Sequence, residues 1–269
     1  MRKWQKIIKY IAYALAFALI FSILSSIMYG VGSVFSIFDN SESDELEAME
    51  LIDINDEVRV IDINIDKVDL KIENDDDFRM EISDKARISY NDDGERVIID
   101  EKKLSLFDEE CQLIIYVPSD KVFDSVFLKN AVGSVKIESI SAKKIDLELG
   151  MGSVIIDNLQ VENEASIGSG VGEFIINNGN INNLELDMGV GNVKVSAKVL
   201  GSSEINSGIG RLELNLIGSK DEYRIDADKG IGSIEVDGSS LGNDSIYGVG
   251  SNYIDIDGGM GEISINFIS

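Results

Sequence analysis

The sequence feature that most constrains the fold is a tripeptide, Gly-φ-Gly with φ apolar, that recurs along the second half of the chain. Seven complete copies lie between residues 150 and 261, and a degenerate first copy, Ala131-Val132-Gly133, keeps only the second glycine. Successive second glycines are 19, 20, 19, 19, 22, 18 and 11 residues apart, and a near-constant period of this size is typical of a solenoid. The repeat glycines are Gly133, Gly150, Gly152, Gly170, Gly172, Gly189, Gly191, Gly208, Gly210, Gly230, Gly232, Gly248, Gly250, Gly259 and Gly261.

Apolar side chains alternate with polar ones before each tripeptide and resume one residue out of phase after it. Ile145 and Leu147 precede Gly150-Met151-Gly152, for example, and Val154 and Ile156 follow it. Strict alternation indicates strands with one buried face, and a one-residue slip turns the apolar set outward unless a bulge or corner absorbs it. We therefore interpret Gly-φ-Gly as a corner, where glycine permits positive φ and close approach of stacked backbones.

The apolar residue between each pair of glycines is expected to form a ladder that points into the core. These residues are Val132, Met151, Val171, Val190, Ile209, Ile231, Val249 and Met260. Each rung then consists of a strand, a corner, a second strand and a loop of roughly eight residues, with equivalent strands of successive rungs paired in parallel.

The predicted fold is therefore all-β, a right-handed parallel β-solenoid over residues 57–269, because crossovers between parallel strands are nearly always right-handed. Residues 57–125 are expected to form irregular coils and residues 126–269 the Gly-x-Gly coils. A separate small β-domain over Glu57–Val117 is the alternative. The short final spacing predicts that one strand, Tyr253–Ile256, joins the last two corners and that the C-terminal segment caps the open edge.

The N-terminus has the features of a membrane anchor. Arg2, Lys3, Lys6 and Lys9 precede a stretch, residues 10–38, that holds no charged residue and exceeds the roughly 20 residues needed to span a bilayer. The positive-inside rule predicts a cytoplasmic tail (1–9), a transmembrane signal-anchor (10–38), an acidic stalk (39–56) and an extracytoplasmic C-terminal domain. A cleaved signal peptide is the alternative.

Several classes of chemistry are excluded by residue types that the chain lacks. There is no histidine and one cysteine, Cys111, which removes Ser-His and Cys-His nucleophile pairs, most zinc sites and any intramolecular disulfide. The Gly-x-Gly copies are not dinucleotide-binding motifs, because that fingerprint needs a third glycine and a following helix. No cofactor is predicted, and the chain is not expected to be an enzyme.

Charge is the strongest remaining signal. All 49 acidic residues follow residue 38 while four of the 24 basic residues precede it, so the outer part carries 20 − 49 = −29. Such a field disfavours nucleic acid and favours cations or basic partners. Carboxylates on outward positions of adjacent coils could form a ladder with weak affinity for Ca²⁺ or Mg²⁺, although a solvated face is the simpler interpretation. The ladder residues are Asp146, Glu148, Glu185, Asp187 and Glu213.

A series of segments resembles a known bacterial repeat family. The segments are Leu-Ile-Ile-Tyr-Val-Pro at 113–118, Asp-Ser-Val-Phe-Leu at 124–128, Val-Gly-Ser-Val-Lys-Ile at 132–137, Lys-Ile-Asp-Leu-Glu-Leu-Gly at 144–150 and Gly-Ser-Val-Ile-Ile at 152–156. Together they resemble the β-strand-repeat domain called "putative adhesin", from about Glu57 to the C-terminus. The resemblance implies a cell-envelope protein, in a family that supplies no catalytic motif.

These observations lead to one main hypothesis on function. The chain is expected to be a non-enzymatic, membrane-anchored, extracytoplasmic β-solenoid that serves as a binding, adhesion or stress-response accessory module of the cell envelope. Its expected partners are the membrane and an envelope protein or wall component. A carboxylate-dependent polysaccharide-active enzyme and a structural rod stabilised by divalent cations are the alternatives.

Overall fold

The computed structural model describes residues 49–83, 87–102, 111–242 and 245–268. The predicted cytoplasmic tail, the predicted signal-anchor and most of the predicted stalk therefore lie outside the described residues. Within these four ranges, no helix has the length and apolar character that crossing a bilayer requires.

Strands account for most of the described chain, which contains seventeen of them and one short 3-10 turn (Lys220–Glu222). The first six strands are β1 (Glu50–Asp53), β2 (Val60–Asp75), β3 (Arg79–Ile82), β4 (Ile88–Asp92), β5 (Arg96–Glu101) and β6 (Cys111–Pro118). The central strands are β7 (Val122–Ile176), β8 (Gly179–Asn182), β9 (Leu184–Leu200), β10 (Ser202–Asn206) and β11 (Ile209–Ile217). The last six are β12 (Tyr223–Asp228), β13 (Ile231–Val236), β14 (Ser239–Ser240), β15 (Ser245–Gly248), β16 (Asn252–Asp257) and β17 (Met260–Ile268).

The central strands stack as coils, and equivalent segments of successive coils pair in parallel. Residues 165–176 of β7 pair with β9, and β9 in turn pairs with β10 and β11. The prediction of an all-β, solenoid-like fold with parallel pairing is therefore confirmed, and the handedness of the coils stays a prediction.

Each central coil has three strand segments. The segment that was expected to be a loop is paired as well: Leu159–Val161 aligns with Gly179–Ile181, and Asn180–Asn182 aligns with Lys198–Leu200. The side chains explain this third ladder, because Leu159, Val161 and Ile181 are all buried and continue the period-2 alternation of a strand.

The first coil, β2, does not occupy the end of the stack. It pairs in parallel with β5 and β6 on one side and with β7 on the other, so the second coil in the chain is the outermost. Because β2 is continuous with the rest of the stack, the alternative of a separate domain over Glu57–Val117 is wrong. Strand β1 lies within the predicted stalk, residues 39–56, and pairs with β3, so the β-structure begins before residue 57.

The C-terminal coil, β16 and β17, is likewise one rung inside the stack. Strand β17 pairs with β11 on one side and with β13 on the other, and β16 pairs with β10 and β12. The expectation that this segment caps the stack is therefore wrong, although one strand does precede the last corner as predicted. The outer coil is instead β12 and β13, and the C-terminal coil separates it from β11.

Antiparallel strands cover the outer coil at each end. Strands β3 and β4 pair with β6 and β5 at the N-terminal end, and β15 and β14 pair with β12 and β13 at the other. The turn at Gly94, with φ of +90°, joins β4 to β5, and an Asp-Gly pair is typical of a turn between antiparallel strands. Covering strands of this kind protect a parallel stack from further edge pairing.

The core is a continuous stack of aliphatic side chains inside the coils. Leu186, Val193 and Leu212 are among the residues that are almost completely buried. Near the C-terminal end Tyr223 is also buried, its hydroxyl donates to the carbonyl oxygen of Ile217 at 3.0 Å, and its ring lies 5.6 Å from that of Phe267. The inserted C-terminal coil is thus held by core contacts as well as by its ladders.

Candidate functional site: the corner ridge and the acidic face

The corners stack on their glycines as predicted. The second glycine has positive φ at Gly133, Gly152, Gly172, Gly191, Gly210 and Gly261, with values from 137° to 148°. A Cβ atom on the first glycine would overlap the neighbouring coil: on Gly170 it would meet the carbonyl oxygen of Gly150, and on Gly189 that of Gly170. The order of these close approaches gives the order of the corners in the stack.

Two of the predicted corner glycines do not belong to this stack. Gly248 and Gly250 lie against the backbone of Glu222 and Tyr223, and Val249 between them is 93% exposed. The last coils also stack out of sequence order, since Gly261 lies against Gly210, and Gly232 lies against Gly261.

The apolar residues of the corners point outward, so the prediction of an inward ladder is wrong. Val132, Met151 and Met260 are 43%, 45% and 47% exposed, and Ile231 is 74% exposed. Val171, Val190 and Ile209, in the middle of the stack, are half-buried by their neighbours and keep part of their surface accessible. The alternation of inward and outward residues is interrupted before the apolar residue of the corner. Gly150 and Met151 are both exposed, so two consecutive residues face solvent, as in a β-bulge.

These outward residues form one row, which we call the corner ridge. Val190 aligns with Val171 and Ile209, and Met260 aligns with Ile209 and Ile231. At about 4.8 Å per rung the ridge is roughly 29 Å long. In spatial order it consists of Val132, Met151, Val171, Val190, Ile209, Met260 and Ile231.

Most ridge residues lie between two glycines along the chain, so no side chain of an adjacent residue shields them from solvent. On the side of the preceding strands, a shallow groove of about 550 Å³ runs beside the ridge, where Gly168 leaves a gap between Glu148 and Asp187. An exposed apolar row of this kind is a surface that another molecule can cover, since contiguous apolar patches commonly mark interaction sites.

Carboxylates cover the strands that lead into the ridge in the C-terminal half of the stack. Glu185 aligns with Glu204, Glu204 with Asp255, and Asp255 with Asp226. A second row lies closer to the ridge. It runs from Asp187 through Asn206 and Asp257 to Asp228. We call these seven carboxylates the acidic face: Glu185, Asp187, Glu204, Asp226, Asp228, Asp255 and Asp257.

The acidic face differs from the rest of the stack in its charge pairing. In the N-terminal half, basic and acidic side chains of neighbouring coils form ion pairs: Lys129 with Glu148 at 2.6 Å, Lys143 with Asp124 at 2.6 Å and Lys144 with Glu164 at 3.2 Å. Among the described residues, no carboxylate of the acidic face pairs with a lysine or arginine. Their charges are exposed and uncompensated.

The five carboxylates predicted as a metal ladder are only partly brought together. Asp146 and Glu148 are separated from Glu185 and Asp187 by the coil that carries Ser166 and Gly168, and Glu213 lies beyond the corner, on β11, paired with Lys194 at 3.0 Å. In the part of the chain that the structure describes, no group of three or more acidic or cysteine side chains has an arrangement that holds a metal ion.

A buried ion pair lies against the backbone of the first coil, at Asp66 and Lys67. The Arg87 guanidinium lies 2.6 Å from the carboxylate of Glu101, and both side chains are nearly buried. Glu101 Oε2 also accepts hydrogen bonds from the backbone N–H groups of Asp66, at 2.6 Å, and Lys67, at 2.7 Å. Burial raises the pKa of Glu101, but the Lys67 N–H, the guanidinium and the Asp66 N–H together outweigh it and lower the pKa below its ordinary value.

Sequence reasoning missed this ion pair because Arg87 and Glu101 belong to an irregular region without the repeat marker. Cys111 is buried, and the hydroxyl of Ser83 donates to its sulfur at 3.8 Å. Neither residue pair belongs to the corner ridge or to the acidic face.

The comparisons with known proteins agree with the resemblance found in the sequence. Residues 49–265 match the family model described as Toastrack DUF4097. No relative among curated proteins matches the sequence.

Solved structures similar to this chain include a "putative cell adhesion protein" from Clostridium sporogenes (16% identity, TM-score 0.38, covering 82% of this chain and 99% of that one). A "putative adhesin" from Bacteroides fragilis is also similar (14% identity, TM-score 0.42, covering 81% of this chain and 95% of that one). At these identities and TM-scores, the similarities carry no argument about function.

Proposed function

This chain belongs to the Toastrack DUF4097 family, and from that premise we propose that it is a membrane-anchored, extracytoplasmic module that binds a component of the cell envelope without catalysis. The observation that carries this proposal is the corner ridge, a row of exposed and half-buried apolar side chains bordered by glycine on a strongly acidic domain. Burying such a row contributes about 25 cal/mol for each Å² of apolar surface removed from water. A partner that covers the ridge would supply that burial.

The anchor and the orientation rest on the sequence alone. Four cations precede the uncharged stretch 10–38 and the first acidic residue follows it, which favours an N-terminus in the cytoplasm and a β-domain outside. A non-catalytic role is supported by the residue types available, since the chain has no histidine and its one cysteine is buried.

Topology and binding can be tested together on the full-length protein in bacterial cells. We expect a C-terminal epitope to be removed when protease is added to intact protoplasts, while an N-terminal epitope stays with the membrane. After cross-linking, the wild type should recover an envelope component that the double variant Ile209→Ser/Met260→Ser does not recover. Val122→Ser is the matched control, because Val122 is 47% exposed but lies off the ridge.

A protected C-terminal epitope would contradict the proposed orientation. Equal recovery by the wild type and the ridge variant would contradict the proposed binding surface. Cleavage products from a panel of wall and capsular glycans incubated with the protein would favour the polysaccharide-active alternative instead.

A further inference from the structure

The acidic face lies on four of the seven coils that carry the corner ridge, those of Val190, Ile209, Met260 and Ile231. Each of these coils presents one ridge residue at its corner and outward positions on the strand before it, as in Asp187-Met188-Gly189-Val190 and Asp257-Gly258-Gly259-Met260. The nearer acidic row lies three positions before the ridge in both segments, which corresponds to about 10 Å along an extended chain. Apolar and acidic rows therefore run side by side along the stack.

The acidic face carries a repulsive arrangement that its own chain does not compensate. Like charges directly opposite each other on adjacent strands are destabilising, and Glu204, Asp255 and Asp226 occupy three successive rungs of one row. The N-terminal half alternates charges of opposite sign at neighbouring rungs instead, as Lys129 and Glu148 do. A partner with positive charge would relieve this repulsion.

The opposite flank of the ridge has a different character. On this flank, the residue that follows the second glycine of each corner points outward. These residues are Asn192, Arg211, Glu262 and Ser233, and Arg211 forms an ion pair with Glu262 at 3.0 Å. This flank is close to neutral. The surface around the ridge is thus apolar in the middle, acidic on one side and neutral on the other.

We propose that this strip binds a basic amphipathic helix of an envelope partner. The apolar side of the helix would lie on Val190, Ile209, Met260 and Ile231, and its lysines or arginines would extend over the acidic face. This inference rests on the proposed binding function and names the chemistry of the partner.

The dimensions of a helix fit this strip. Four rungs span about 14 Å at 4.8 Å per rung, which is the length of about ten helical residues. A helix with its side chains is about 10–12 Å wide, so a lysine on its flank reaches an acidic row about 10 Å from the ridge. Positive charge on one flank only would fix the orientation of the helix.

Other occupants fit the charge less well. A second copy of the chain would bring one acidic face towards another, and anionic wall polymers or nucleic acid would be repelled. Charge complementarity also promotes encounter more than it adds affinity, so binding should depend on the ridge for strength and on the acidic face for salt sensitivity.

The proposal is tested with the full chain in nanodiscs of zwitterionic lipid and a fluorescent, amphipathic Leu/Lys peptide of about 18 residues, long enough to form a helix. Empty nanodiscs give the lipid background. Two control peptides share the length: one has Glu in place of Lys, and the other has the Leu/Lys composition in an order that is not amphipathic. Anisotropy should show binding of the amphipathic Leu/Lys peptide alone, weakening as salt rises because salt screens exposed charges.

Two double variants separate the parts of the strip. Ile209→Ser/Met260→Ser should weaken binding by about tenfold. Glu204→Gln/Asp255→Asn should weaken it less, by about fivefold at low salt, and should reduce the dependence of the affinity on salt. The control Asp120→Asn/Glu162→Gln makes the same change of charge outside the acidic face and should change the affinity by less than about twofold. The variant of the acidic face should also melt a few degrees higher than the wild type, since it removes like-charge repulsion, and this shift shows that it is folded.

Three results would overturn the inference: no binding of the amphipathic peptide, equal binding of either control peptide, or loss of binding with the acidic variant but not with the ridge variant. Recovery in cells of a ridge-dependent partner that has no basic amphipathic segment would also overturn it, yet would leave the proposed binding function standing. If the wild type and the ridge variant recover the same cross-linked envelope component in equal amounts, the proposed binding function itself is contradicted.

Discussion

Replacing Gly191 by alanine is expected to destabilise the protein by about 3–5 kcal/mol, at the upper end of what single substitutions do. Two independent costs add at this position. Its φ of +142° is a conformation that residues with a Cβ rarely adopt, and a Cβ there would overlap the carbonyl oxygen of Gly172. Since that oxygen belongs to the backbone of the next coil, relief requires the stack to separate locally.

Gly168→Ala is the matched control for this substitution. Gly168 lies in the adjacent coil without positive φ, and a Cβ there would have the carbonyl oxygen of Leu147 at 3.8 Å as its nearest neighbour. Alanine at such a position leaves stability unchanged or raises it by up to about 1 kcal/mol, because it reduces the entropy of the unfolded chain. Chemical denaturation of both variants measures the difference, and equal stabilities would contradict the stacked-corner account.

Glu101→Gln is the second substitution with a large expected effect, again about 3–5 kcal/mol, because it removes one partner of a buried ion pair. Glutamine keeps the size of the side chain but removes the negative charge of Glu101 from its place 2.6 Å from the Arg87 guanidinium. It also replaces a charged acceptor of the Asp66 and Lys67 N–H groups with a neutral one. Glu148→Gln is the control, since Glu148 forms an ion pair of similar length, 2.6 Å, with 62% of each side chain exposed, and such pairs contribute less than about 1 kcal/mol.

The effect of Glu101 should depend on pH in one direction. Its pKa is lower in the folded protein than in the unfolded chain, so its contribution to stability is complete above the unfolded pKa and is lost as pH falls through the folded pKa. The difference in melting temperature between wild type and Glu101→Gln should therefore be largest near neutral pH and shrink as the pH falls below about 4. A difference that grows on acidification would contradict the account of this ion pair.

Sequence alone was sufficient for two strands and the corner of each repeating unit, because their causes are local. Alternation such as that of Ile145 and Leu147 specifies strands with one buried face, and a glycine such as Gly152 specifies a corner. The direction of Met151 was not predictable from alternation, because the phase break can fall on either side of the apolar residue. The third strand, which includes Leu159 and Val161, was not predicted because its alternation covers only a few residues, too short a run to distinguish a strand from a loop.

The order of the coils, and with it the acidic face, could not be derived from the repeat. Each coil presents similar edges to its neighbours, so stacking in sequence order and the observed insertion of β16 and β17 satisfy the same local pattern. The insertion places Asp255 between Glu204 and Asp226, three residues that sequence reasoning did not group. The shortened spacing of 11 residues before Gly261 was the one visible sign of an exception.

The proposed function depends most on whether the corner ridge is covered by an envelope partner in living cells. The most direct measurement is photo-cross-linking with a light-activated amino acid at Ile209, compared with the same amino acid at Asn180, an exposed position on the third strand segment. The account predicts one dominant cross-linked envelope component from position 209, and little or none from position 180. Cross-links of equal yield from both positions, or from position 180 only, would contradict it.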